Sequence, residues 1–209
     1  MAGRITALEY QKRNQERVSV FIDGRFACGL PAIVAATLRV GQVLSDAECE
    51  ALRERGSVEE AYSQALDYLS YRPRSRSEVE RHLGKHGASQ AQIEAAIDRL
   101  EHAGLLGDED FARFWVENRE RFRPRGPAAL RYELRCKGVG EEAIEQALEA
   151  LDPSESAYQA ASKKARLLSE LDQATFSRKL VEYLVRRGFG YEIARETARR
   201  HWAELADRS

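Results

Sequence analysis

The segment Tyr71-Arg72-Pro73-Arg74 is answered fifty-one residues later by Phe122-Arg123-Pro124-Arg125. The match continues past the turn. Leu83 and Gly87 fall on Leu134 and Gly138, and Ile93, Ala96, Ile97 and Leu100 fall on Ile144, Ala147, Leu148 and Leu151. Self-similarity at such a period marks a supersecondary unit repeated along the chain. A third, worn copy follows at an offset of 50. Leu184 and Gly188 answer Leu134 and Gly138, Ile193 arrives one residue early, and the Arg-Pro-Arg turn is missing.

Apolar residues recur at helical spacing throughout these copies, as at Tyr62, Ala65, Leu66 and Leu69, and at Phe111, Phe114 and Trp115. Each copy reads as three helices. Proline disfavours helix at the residue before it, so the basic turn ends the first helix. The Leu-x-x-x-Gly ending of the second is a left-handed stop that glycine adopts cheaply. The predicted spans are 58–71, 76–86 and 90–103; 109–121, 127–137 and 141–151; and 155–170, 174–187 and 190–206. A single unit of this size buries little apolar surface, so the copies are expected to dock on one another.

The first fifty residues differ in kind. RVSVFIDGRFACGL alternates β-branched and aromatic residues around Asp23-Gly24, a strong hairpin signal. Strands are predicted over 17–22 and 25–29, with RITALEY as a third, because an isolated hairpin is marginal in water. Pro31 opens a short helix, and Ser45 with Glu48 forms a capping box that starts another. The predicted fold is therefore mainly α: three tandem three-helix, helix-turn-helix-like repeats in an elongated arrangement, behind a small β-hairpin and helix module. The expected boundaries are 1–56 for the module and 57–106, 107–153 and 154–209 for the repeats.

Net charge is only -1, but it is unevenly spread. From Tyr71 to Gly87 five basic residues face two acidic ones, a balance of +3; from Phe111 to Gly138 eight face three, a balance of +5. The segments between and after them are acidic. Ser75 and Glu78 form a second predicted capping box, which places Arg72, Arg74 and Arg76 outward beside a helix N-terminus. Cations there oppose the helix dipole, at a cost of about 0.3–1 kcal/mol each. Such a turn is a cradle for an anion, either a phosphate or a partner's carboxylate. The candidate partner-binding residues are Arg72, Arg74, Arg76, Arg81, Arg121, Arg123, Arg125, Arg131, Arg135 and Lys137.

Other chemistries find little support. Cys28, Cys49 and Cys136 are odd in number and outside any metal or disulfide spacing. His82 and His86 sit four apart, but HLGKH lacks a third ligand and the glutamate of a metalloprotease helix. Phe111, Phe114 and Trp115 read as core. With no phosphate loop and no nucleophile-base pairing, neither an enzyme nor a cofactor is expected. No apolar run is long enough to span a bilayer and the N-terminus does not resemble a signal peptide, so a cytoplasmic protein with no membrane partner is expected.

ALDYLSYRPRSRSEVERHLGKHG, IDRLEHAGLLGDEDFARFWVENR, RGPAALRYELRCKGV and LVRRGFGYEIA, in that order, resemble the RecX family of bacterial recombination regulators over residues 57–205. The N-terminal module is similar to an extension that some members carry. The resemblance implies a non-enzymatic protein of tandem three-helix repeats that binds the RecA recombinase filament; a monomer, with weak DNA binding alongside, is the accompanying expectation. It would reduce the filament's ATP hydrolysis, strand exchange and co-protease function, and so damp recombination and the SOS response. Separate basic and acidic stretches suit contact with a nucleoprotein at several points. The rival reading is a helix-turn-helix DNA-binding protein or transcriptional regulator. Against it stand an isoelectric point near 6.5 and the acidic third helices of the first two repeats.

Overall fold

The computed structural model describes residues 3–12 and 14–206, so the ends of the 1–56 and 154–209 ranges lie outside the described residues. Two compact units emerge: Met1–Arg74 with Glu78–Leu106, and Ser75–Ser77 with Gly107–Ser209.

In the first unit, β1 (Gly3–Gln11), β2 (Asn14–Ile22), β3 (Arg25–Pro31) and β4 (Val43–Leu44) form an antiparallel sheet in the order β3-β2-β1-β4. Asp23 and Gly24 both take positive φ, at 50° and 77°, which is the two-residue turn that matches strand twist. Alternation puts Val18, Val20 and Ile22 on the covered face with Ile5, Leu30 and Leu44. RITALEY is a strand as expected, whereas β4 carries too short a signal to be read. The short helix α1 covers Ala32–Ala35.

The sequence predicts separate helices on either side of residue 57. They are one helix, α2, over Asp46–Ser70, and its N-terminus has the predicted Ser45–Glu48 capping box. Gly56, which resembles a breaker, is buried where a Cβ would run into the Cβ of Cys28. It lets the helix approach β3 closely, so its cause lies twenty-eight residues upstream. Burial pushes the Cys28 thiol pKa up.

Helices α3 (Arg76–Lys85) and α4 (Gln90–His102) complete the first repeat. Its core gathers Ala61, Ala65, Val79, Leu83, Ile93, Ala96, Ile97 and Leu100. The second unit holds α5 (Asp108–Phe122), α6 (Pro127–Cys136) and α7 (Glu141–Glu149), then α8 (Pro153–Leu167), α9 (Gln173–Arg186) and α10 (Tyr191–Ala206). Leu83, Leu134 and Leu184 are fully buried at matching places, each contributing about 1.5–3 kcal/mol of transfer free energy. In the third copy, fully buried Ala194 occupies the place of Ile144 and Ile193 is only partly buried, so the register has no slip.

The three second helices end alike. Ala88, Val139 and Phe189 donate their amides to the carbonyls of Leu83, Leu134 and Leu184, at 3.2, 3.1 and 3.2 Å. Gly87, Gly138 and Gly188 stand at φ 87°, 79° and 88°. This is the predicted left-handed stop, in its six-residue form.

Candidate interaction surface

Within the second unit, the residue after the Arg-Pro-Arg turn closes a joint between repeats. The Gly126 amide donates to the Arg187 carbonyl at 2.9 Å, and a Cβ on Gly126 would collide with the Gly188 carbonyl. Arg187 Nε donates back to the Pro124 carbonyl at 3.2 Å. A Cβ on Gly188 would stand 2.5 Å from the Cβ of Ala129. The same unit includes Ser75–Ser77, and these residues make the matching set. Ser75 Oγ donates to the Lys137 carbonyl at 2.6 Å, the Arg76 amide donates to Asp108 Oδ1 at 3.0 Å, and a Cβ on Gly138 would stand 2.5 Å from that of Ser77.

The turn arginines are not all held outward as expected. Arg72 forks onto the nearly buried Glu78, 3.0 Å to Oε1 and 3.3 Å to Oε2, and also donates to the Pro73 carbonyl. The guanidinium of Arg74 lies 4.0 Å from the Tyr68 ring centroid. Tyr68 stacks on His82 at 3.9 Å, and His82 leans on His86 at 4.3 Å. Burial, then the charges of His86, Arg74 and Lys85, hold the His82 pKa below its ordinary 6.5. Both histidines are thus occupied in stacking. Among the described residues no three His, Cys, Asp or Glu side chains group to hold a metal.

The corresponding corner of the second repeat is built on a carboxylate. Glu133 is about 17% exposed and receives Trp115 Nε1 at 2.9 Å and Arg119 Nε at 2.7 Å. Arg125 Nε lies 3.1 Å from its other oxygen, a charge contact without hydrogen-bond alignment. Arg119 and Lys137 approach the Trp115 ring at 4.6 and 5.1 Å. Of the three aromatics read as core, Phe111 is buried there, whereas Phe114 and Trp115 are only partly buried and the Trp115 indole N–H joins this network. Arg131 pairs with Glu145 and Glu141, and Arg135 forks onto Glu141, which lowers the Glu141 pKa.

The candidate residues therefore divide. Arg72, Arg125, Arg131 and Arg135 hold ion pairs, and Arg74 is engaged with an aromatic ring. The backbones of Arg76 and Lys137 serve the joint, and Arg81 is exposed on α3. Arg121 touches Phe122 at 5.3 Å, while the side chain of Arg123 enters no hydrogen bond or ion pair among the described residues. Phe122 is 66% exposed between them.

Sequence reasoning missed a further cluster in the third repeat. Tyr158 stacks on His201 at 4.3 Å, with Arg200 3.9 Å from its ring, and donates from its hydroxyl to Glu204 at 2.7 Å. That hydrogen bond lowers the Glu204 pKa. The partners are more than forty residues apart, so no local spacing announces them.

Comparison with known proteins gives a consistent result. Residues 61–100, 108–148 and 152–202 match the first, second and third three-helix domains of RecX, and residues 3–45 match the regulatory protein RecX N-terminal domain. The regulatory protein RecX of Bacillus licheniformis is 32% identical over 194 residues, covering 90% of this chain and 74% of its own length. That of Clostridium botulinum (Eklund 17B) is 30% identical over 204 residues, covering 94% and 95%. A crystal structure of regulatory protein RecX superposes with a TM-score of 0.73 at 27% identity, covering 91% of this chain and 96% of that one. A RecX from Lactobacillus salivarius gives 0.63 at 27% identity, covering 70% and 97%.

Proposed function

Because the chain belongs to the RecX family of regulatory proteins, we propose that it binds the RecA nucleoprotein filament in the cytoplasm and lowers its ATPase, strand-exchange and co-protease activities. It acts by binding, without catalysis or cofactor. The observation that carries the reading is the Arg121-Phe122-Arg123 tip: two exposed arginines flank an exposed ring, and Arg123 forms no ion pair among the described residues. An aromatic and arginine pair is the composition that anchors protein interfaces. Arg72, Arg74, Arg76, Arg81, Arg125, Arg131, Arg135 and Lys137 extend the surface. Those in internal pairs contribute position more than free charge, because a partner must compete with the carboxylate already held.

The test is single-strand-dependent ATP hydrolysis by RecA, with direct DNA binding measured at two salt concentrations. The expected result is inhibition at well below one chain per RecA. Arg121→Glu with Arg123→Glu weakens it by at least tenfold, while Arg131→Glu with Arg135→Glu changes it less. Inhibition untouched by the first pair removes the tip from the site. No effect on RecA, with tight and steeply salt-dependent DNA binding, refutes the reading in favour of a DNA-binding protein.

A further inference from the structure

We propose that the groove between the α3–α4 loop and α2, lined by Ser57, Glu60, Gln64, His86, Gly87 and Gln92, is a seat for a basic turn of a partner protein. The proposal stands on the repeat's own construction and does not rest on the RecA reading. Two such seats are in use within the second unit. Each consists of the carbonyl before a left-handed glycine and the glycine itself, with the turn of another repeat laid across them. In the seat at Lys137 and Gly138, the first-helix residue Asp108 also accepts the amide of Arg76.

Moving these positions back by the repeat offset of 51 converts Lys137, Gly138 and Asp108 into His86, Gly87 and Ser57. All three line a single cavity of about 290 Å3 in the first unit. Gly87 makes the same stop, at φ 87°, and among the described residues no atom beyond its two chain neighbours lies within 4 Å of where its Cβ would be. The His86 carbonyl accepts no backbone hydrogen bond among them. The first repeat thus presents, uncovered, the surface that the second and third repeats use to hold a turn.

The occupant's chemistry follows from the two seated turns and from the lining. Both turns are Arg-Pro-Arg followed by a small residue, Ser75 or Gly126, that lets the backbone reach a carbonyl. The groove adds one exposed carboxylate, Glu60, which among the described residues receives only the Gln64 amide at 3.5 Å, while Gln92 on its far wall caps α4 by accepting the Ser89 amide. An arginine-bearing turn with glycine or serine at its tip matches the open His86 carbonyl with a donor and the Glu60 charge with a cation. A second copy of this chain fits less well. Its two turns of that kind are seated already, and the third repeat offers Asp172, whose carboxylate caps α9 and would meet Glu60 with like charge.

The probe is the blocked peptide FRPRGPAAL, titrated into the isotope-labelled full chain and followed by backbone amide chemical shifts. Saturable shifts centred on Gly87, Ala88 and Gln92 are expected. Affinity falls at least tenfold for the peptide carrying Gly126→Leu and for the chain carrying Ser57→Trp, and it weakens with Glu60→Lys. Both chain changes sit on one face of α2, and circular dichroism checks that helical content is kept. The proposal is overturned by shifts on another face, by no saturation at about 1 mM peptide, or by a Ser57→Trp chain that binds as before. Peptide-independent self-association through the groove, or competition by single-stranded DNA that survives Glu60→Lys, overturns the choice of occupant.

Discussion

Gly126 and Gly140 provide a matched pair for weighing the joint between repeats. Both are N-caps without a side-chain hydrogen bond, at φ -73°, ψ 160° and φ -68°, ψ 153°, a conformation open to any residue. Replacing either by alanine therefore brings the same modest capping loss and the same entropic gain from a stiffer unfolded chain. They differ in space. A Cβ at Gly140 has nothing within 4 Å, whereas at Gly126 it meets the Gly188 carbonyl and the Phe189 amide. Relief requires the third repeat to move away, which also lengthens the hydrogen bond from Gly126 to Arg187. Overpacking costs about 1–3 kcal/mol and the hydrogen bond about 1 kcal/mol, so Gly126→Ala is destabilising by about 2–4 kcal/mol relative to Gly140→Ala. With a urea m-value of about 2 kcal/mol/M, the midpoint drops by about 1–2 M. The core clusters of the second and third repeats are separate, so loss of the joint also splits or broadens the unfolding transition, read by tryptophan fluorescence from Trp115 and Trp202. Equal midpoints for the two variants would refute the reasoning that the turn holds the repeats together.

The His82 stack makes stability sensitive to mild acid. Its folded pKa lies below 6.5, so the unfolded chain takes up the proton first. The neutral stack's contribution is present above pH 6.5 and is lost as pH falls below it. The lowered carboxylates Glu48, Glu141, Asp172 and Glu204 titrate below their ordinary values near 4, outside this window. His82→Phe should keep the stacking on Tyr68 and flatten the fall in urea midpoint between pH 7 and pH 5; an unchanged slope would assign it to other groups. Gly56→Ala raises helix propensity by about 1 kcal/mol, yet it places a methyl group against Cys28 at a cost of about 1–3 kcal/mol. Thermal unfolding should show a lower Tm, and a higher one would mean the helix and sheet can part without loss.

What could be read from the chain depended on how far apart the partners lie. The repeat offset, the Leu-x-x-x-Gly stops and the Asp23-Gly24 turn are local or periodic, and each appears where expected. Gly56 was opaque because its reason is Cys28, and Glu133 because its partners sit eight to eighteen residues away on other helices or turns. Arg72 and Glu78 were both visible, but only the folded turn brings them face to face. The arginines of the repeated motif do not share one role. Arg72 and Arg125 find carboxylates, Arg74 finds a ring, and Arg123 stands clear. The residue after the motif does share one: Ser75 and Gly126, one by its hydroxyl and the other by its amide, each donate to the carbonyl before a left-handed glycine. That contact needs a chain that turns sharply and ends in a small side chain, which proline and serine or glycine supply. The recurrence of the turn is therefore explained by the seat it fills, and the charge it carries is left available to differ between copies.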